Sequence, residues 1–506
     1  MTSKKKAALL LTALTAISLG ACGRSNASSS SFQPSSSSVL TSSSSDESSS
    51  SSSSSSMTHQ VTIDELSFRA IGEEYYAVSA KDRYSIEGDL VIPSEYNGKP
   101  VIKIESFSAC RRLKSVTIPD SILEIGGDAF SNCESLTSVI IGKKVKTIGY
   151  ISFGYCESLK SIVIPDSVTE IYEGAFKSCK KLESVTISKN ITTIYDYTFE
   201  NCFALKTVSI PSNVTSIGKF AFAGCAFESI TLPNVLELID ISAFNSCDNI
   251  KTINVPASVT SIGQAAFANC DLLETITVDS NNPNYVSVDG MLYSKDLTTV
   301  LSVPANWQKE FTLLDSVTTI GGYAFLGNIN LKTYTIPTHV TTLGDSAFGG
   351  CASLVSITIP DNVTSIGMFC FAWDTALESI VIPGSIKTIE QGMFSDCSAL
   401  KSVTLSEGIT RLDATPFMWC TSLKSLVIPH SVTELGSQAL YESFLDKIYY
   451  KGTKAEWDSI KNDSEPHFIY NTEEATLYFY SENGPTTIGY YWHYVNNEPT
   501  AWELNK

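Results

Sequence analysis

Histidine is scarce in this chain, five in 506 residues, and the five stand apart as His59, His339, His430, His467 and His493. Such scatter excludes a sequence-local zinc helix. Neither a glycine-flanked serine elbow nor a phosphate-binding glycine loop is present. Carboxylates paired by folding are the catalytic arrangement that needs no motif. Basic residues are outnumbered, 35 Lys and Arg against 53 Asp and Glu, for a formal net charge of −18. That deficit excludes a nucleic-acid groove, which needs clustered cations, and disfavours contact with anionic lipid headgroups. Long apolar runs are missing too: the one from Ala7 to Leu19 falls short of the roughly 20 residues that cross a bilayer core. No catalytic residue, metal ligand or cofactor is assigned, and the chain reads as a non-enzyme.

That short run has an informative setting. Lys4, Lys5 and Lys6 precede it, and the small Gly20 and Ala21 follow it before Cys22, the order of a secretory signal peptide over 1–21. Leu19, Gly20, Ala21 and Cys22 resemble the lipobox of bacterial lipoproteins, which implies lipid attachment to the Cys22 sulfur with acyl chains such as palmitate. Two chains hold a membrane far better than one, because each buried methylene adds about 0.8 kcal/mol. The alternative is an ordinary secretory peptide that releases a soluble protein. Residues 22–57 then form a tether that is almost all serine from Ser25 to Ser56, with too little apolar surface to fold. Its mean span is about 30 Å. The expected location is the extracellular face of the cell membrane, touched only through the lipid anchor.

The body repeats. Cys110, Cys133, Cys156, Cys179, Cys202 and Cys225 are 23 residues apart, Cys247 and Cys270 follow, and Cys351, Cys397 and Cys420 return to the same grid. Asn328, Asp374 and Ser443 stand at that station where cysteine is absent. A fixed period of this length is the signature of a leucine-rich-repeat solenoid. In the unit Leu113, Val116, Ile118, Pro119, Ile122, Ile125, Phe130, Cys133, the alternation at Val116 and Ile118 predicts a short half-buried strand that Pro119 ends. A second apolar pair such as Val168 and Ile171, often followed by glycine, turns the chain, and Ala175 with Phe176 begins a short turn or single helical turn that closes the coil. One such unit buries too little to fold alone; stacking supplies a continuous core.

The expected fold is a β-rich leucine-rich-repeat solenoid of about fourteen coils with irregular caps at both ends. The cap at 58–99 breaks the period, the solenoid occupies 100–443, and 444–506 forms the C-terminal cap and aromatic tail. A 22-residue step before Cys247 is absorbed by a short loop. The larger irregularity, between Cys270 and Asn328, carries Asp289-Gly290 between alternating runs. That pair predicts a hairpin near 280–305. Its Asp and Asn residues lack the ligand spacing of a calcium loop and read as turn residues, with partner contact as the alternative. The aromatic tail, with Tyr490, Tyr491, Trp492, Tyr494 and Trp502, reads as a hairpin sealing the last coils or as a ligand contact.

In an oxidising compartment the cysteines would ordinarily suggest disulfides. Their shared register argues instead for an internal column of unbridged thiols. Asn328 and Asp374 at the same station imply that its polar atom serves a backbone group. The first outward strand position alternates in sign from Lys160 through Glu183, Lys206, Glu228 and Lys251 to Glu274, a register device between neighbouring strands. Serine or threonine follows it, and the third outward position is mostly β-branched. The result is a flat surface suited to a large partner. Candidate contacts are Ser184, Thr207 and Thr252 on the sheet and Trp492 and Trp502 in the tail. The partner reads as a protein or glycan at the cell surface, met by a monomer.

The repeat written by Cys351, Leu354, Ile357, Ile359, Pro360, Val363, Ile366, Gly367 and Phe371 resembles the BspA-type leucine-rich repeats of bacterial surface proteins. The resemblance covers about Asp89 to Lys461, including "GDLVIPSEYNGKPV", "YVSVDGMLYSKD" and "YYKGTKAEW". It implies adhesion, because characterised relatives are adhesins of host matrix proteins, bacteria or eukaryotic cells, and it supplies no catalytic residues. Fold alone does not fix function, so a non-catalytic structural spacer of the envelope is the alternative.

Overall fold

The computed structural model describes residues 59–307, 312–462, 475–484 and 489–502. The signal-peptide, Cys22 and serine-tether expectations lie outside the described residues. Within the body, most coils place a strand of three or four residues on one side and a strand of two on another. Proline and the coil's need to turn back keep both short. Ser161–Val163, Ser184–Thr186 and Thr207–Ser209 pair in parallel, with Ser184 opposite both Ser161 and Thr207. On the second side, Thr147–Ile148 pairs in parallel with Glu124–Ile125 and with Glu170–Ile171. Partners a whole coil apart keep every apolar side chain in register, so the inward residues form columns.

The third side is a turn without regular helix. Its backbone runs a ladder between coils: Phe130 N–H donates to Ser152 O at 2.7 Å and Asn132 N–H to Gly154 O at 2.8 Å. Two left-handed residues bracket most of the stacked phenylalanines, such as Phe130 between Asp128 (φ 54°) and Asn132 (φ 58°), or Phe199 between Tyr197 (φ 58°) and Asn201 (φ 59°). Left-handed backbone disfavours L-residues other than Gly, Asn and Asp, so the ladder and buried ring hold the turn. Coils also touch through backbone: a Cβ on Gly149 would lie 2.6 Å from Gly126 C and Gly127 N. The recurrent glycine after the second strand follows from that contact.

Inside, phenylalanines stack in file. Phe107 through Phe267 have ring-centroid separations of 5.4 to 6.1 Å, and Phe325 through Phe417 repeat the arrangement at 4.8 to 5.8 Å. The interior forms two apolar clusters, one running from Val61 to Leu292 and the other from Met291 to Ile460. Their boundary is the insertion. There Tyr285–Val288 and Met291–Ser294 form the hairpin, with Val288 opposite Met291 and left-handed Asp289 and Gly290 at the turn. Thr299–Ser302 pairs antiparallel with Met291–Ser294 and then in parallel with Thr319–Ile320, which restarts the stack.

The solenoid has about sixteen turns rather than fourteen, because the irregular ends continue the pairing. Glu87–Val91 pairs in parallel with Arg112–Thr117, and Lys447–Tyr450 pairs with both Ser425–Ile428 and Thr476–Tyr480. The first end adds the antiparallel pair Leu66–Ile71 and Tyr75–Ala80. The last described end closes with the hairpin Tyr491–Val495 and Glu498–Ala501. Between these elements Lys454–Asp458 forms a single helical turn, started by a capping box of Thr453 and Glu456.

Candidate recognition surface

The outward sheet follows from the register. In Ser184–Thr186, Ser184 and Thr186 are exposed and Val185 is buried; Thr207 and Thr252 occupy the equivalent exposed station. The third outward column holds apolar side chains in water, with Ile140 and Val163 each 64% exposed on neighbouring coils and Val381 56% exposed further along. Some hydroxyls are met locally, as where Thr137 Oγ1 donates to Lys114 O at 3.0 Å.

Three features depart from the sequence reading. The 22-residue step is not absorbed by a loop alone: residues 228–232 form no strand. The sheet holding Ser184 and Thr207 therefore ends there, and Thr252 belongs to a separate pair, Thr252–Val255 with Thr275–Val278. Among the described residues, the sign alternation from Lys160 to Glu274 closes no ion pair, whereas Lys401 Nζ and Glu378 Oε1 on the same row do, at 3.1 Å. Exposed ion pairs gain little against water, so alternation alone does not hold them. Finally, Trp492 is corrected as a contact: it is fully buried and its indole N–H donates to Tyr450 O at 2.9 Å. Trp502 is half-buried, stacked on His493 at 3.7 Å, with its indole N–H donating to Ser481 O.

The cysteine column has an observable chemistry. All twelve body cysteines are free and buried, Cys370 among them. From Cys133 to Cys420, thiols donate to the carbonyl of a phenylalanine 25 or 26 residues earlier, at 3.0 to 3.4 Å. Burial pushes the thiols from Cys156 to Cys420 up, Cys179 to about 12, so they stay protonated and can donate. Asn328 substitutes by donating Nδ2–H to Pro304 O at 3.3 Å, and Ser443 donates to Leu440 O at 2.7 Å. Asp374 is fully buried, and neither carboxyl oxygen has a hydrogen-bond partner.

Other buried charge is paired. Glu200 is 3% exposed and meets Lys177 Nζ at 2.5 Å, with that ammonium 4.6 Å from the Tyr197 ring. Among the described residues, no group of three or more His, Cys, Asp or Glu side chains is arranged to hold a metal ion. No described helix is long and apolar enough to cross a membrane. The sequence reading missed a cleft near the C-terminal end, to which Glu407, His430, Lys451, Glu456, Tyr480 and Tyr494 contribute. No motif links these residues, and the aromatic tail was the nearest signal to it.

A family model described as "BspA type Leucine rich repeat region" matches six copies, over 89–205, 192–308 and 305–418. A leucine-rich cell surface protein from Faecalibacterium prausnitzii is 30% identical, with 82% of this chain and 100% of that chain covered and a TM-score of 0.55. A leucine-rich repeat protein from Eubacterium ventriosum is 25% identical over 76% of this chain and 88% of that one, with a TM-score of 0.39. No functionally curated protein matches the sequence.

Proposed function

The chain belongs to the BspA-type leucine-rich-repeat proteins, and from that premise we propose that its outward sheet is a recognition surface for a protein or glycan at the cell surface. The Faecalibacterium prausnitzii relative is a leucine-rich cell surface protein. The observation that carries the reading is the exposed sheet itself. Ile140 and Val163 hold apolar groups in water beside the open hydroxyl station of Ser184 and Thr207. Aliphatic side chains with no cover in the chain are the material of a contact surface. Extended repeat surfaces commonly serve large partners.

The same proposal places the protein on the extracellular face of the membrane, held through lipid at Cys22 and lifted by the serine tether. The lipobox-like quartet supports that placement. Labelling with a palmitate analogue should mark the wild-type protein and leave Cys22→Ser unmarked; label retained in the variant would remove the anchor from the reading.

A structural spacer is the second reading, favoured by hydroxyls such as Thr137 that are satisfied by the neighbouring coil. A screen of cells displaying the chain against immobilised matrix proteins, mucin and wall glycans separates the two. Recognition requires adhesion to at least one of these that the variant Ser184→Glu, Thr207→Glu, Thr252→Glu loses. Equal retention of both cell types by every ligand would favour the spacer.

A further inference from the structure

Near the C-terminal end a cleft of about 380 Å³ opens between successive turns, with Glu407, His430, Lys451, Glu456, Tyr480 and Tyr494 on its walls. That volume falls in the usual range for small-ligand sites. Its polar groups stand as two pairs. Lys451 Nζ lies 3.5 Å from Glu407 Oε1, and His430 Nε2 lies 3.1 Å from Glu456 Oε1. Glu456 also accepts from Thr453 N–H at 2.8 Å and from the Thr453 hydroxyl at 2.9 Å. The Thr453 amide, with His430 and the Thr453 hydroxyl, pushes its carboxyl down to about 2, so it is ionised.

The aromatic wall is also organised. Tyr480 and Tyr494 have centroids 6.3 Å apart, and the buried Trp492 sets its ring against both, at 5.2 and 5.0 Å. Tyr494 nevertheless remains 41% exposed. Gly452 keeps the floor low: a Cβ there would lie 2.5 Å from the Tyr450 ring and 3.0 Å from Glu456 Oε2. Packing accounts for Trp492 but leaves Tyr494 open to water beside the polar pairs.

We propose that this cleft binds a neutral saccharide, with Tyr494 and Tyr480 against the apolar face of a hexose and the two polar pairs taking its hydroxyls. Each pair sets a donor beside an acceptor, and a hydroxyl both donates and accepts. Charge discriminates among ligands. Two carboxylates, Glu407 and Glu456, stand beside the Lys451 ammonium, so either a polyanion or a polycation would meet a group of its own sign. An aromatic face with a polar tip suits a ring that has an apolar face and polar edges. Tyr480 and Tyr494 stand on strands that end the C-terminal stretch of the sheet, whereas Ser184 and Thr207 belong to a different, three-stranded stretch, so the saccharide reading stands or falls apart from the reading of that stretch.

The full chain should be titrated with chitotriose, maltotriose and mannotriose by calorimetry and saturation-transfer NMR, with heparin oligosaccharide and a lysine peptide as charged controls. Saturable binding of at least one neutral trisaccharide is expected, weakened at least about tenfold by Tyr494→Ala, the loss of one aromatic contact and its neighbours. Glu407→Gln should weaken it as well, and Thr207→Glu on the sheet should leave it unchanged. If Tyr494→Ala lowers the unfolding temperature, Glu407→Gln alone carries the test, with Tyr494→Phe expected to retain binding. No binding of any trisaccharide, affinity unchanged in both cleft variants, or binding confined to a charged control would overturn the proposal. Loss through Thr207→Glu with the cleft variants unaffected would overturn it while leaving the sheet reading intact.

Discussion

Replacing Asp374 with asparagine should stabilise the protein at neutral pH and remove a pH dependence. Asp374 occupies the cysteine station, fully buried, with both carboxyl oxygens unpartnered. Burial pushes its carboxyl well above the usual range. The folded protein therefore holds a proton that the unfolded chain releases near pH 4. Below that value both states are neutral and stability is fully present. As pH rises above it, the unfolded chain gains by ionising. Stability then falls by up to about 1.4 kcal/mol per pH unit until the buried group itself ionises. The neighbouring thiols Cys351, Cys370 and Cys397 are all pushed up by burial, so they stay neutral through this window. Asparagine cannot ionise and has a working precedent in Asn328, whose Nδ2–H and Oδ1 both find backbone partners. Asp374→Cys would restore the thiol of the other coils. Urea midpoints of the three proteins from pH 4 to pH 8 test this, since groups common to all cancel in the difference. Parallel profiles would refute a neutral, buried Asp374.

The body thiols should resist alkylation in the folded protein and react on unfolding in urea, as mass spectrometry would show; rapid native labelling of Cys202 would contradict its buried, protonated state. Phe176→Ala should cost about 3 to 5 kcal/mol in chemical denaturation, because the ring is fully buried between Phe153 and Phe199 at 5.5 Å. Trp492→Ala should likewise destabilise by about 3 to 5 kcal/mol, while Thr207→Glu at its exposed station should shift stability by no more than about 0.5 kcal/mol. Equal stabilities for those last two variants would contradict the burial assigned to the tail.

The repeat was legible because a parallel stack repeats its environment: one inward station predicts the next 23 residues on, as Cys156 and Cys179 show by donating to Phe130 and Phe153. Asp289-Gly290 was legible for a local reason, since few residues accept a left-handed turn. The end turns were less so, because Glu87–Val91 and Thr476–Tyr480 pair with the stack without repeating its side-chain pattern. The loss of a strand at 228–232 depends on how backbone alignment answers a missing residue, which composition does not encode. Trp492 illustrates the limit for sites: an aromatic cluster reads the same whether a ring faces a ligand or plugs a core. The cleft collects Glu407, His430, Lys451 and Tyr494 from separate turns, so only coil stacking brings them together.

The most direct measurement of the recognition claim is the affinity of the purified chain for whichever ligand retains displaying cells, taken beside the Ser184→Glu, Thr207→Glu, Thr252→Glu variant at matched folded fraction. Saturable binding that the triple variant abolishes is the expected result; binding of equal strength in the variant would contradict the assignment of the outward sheet.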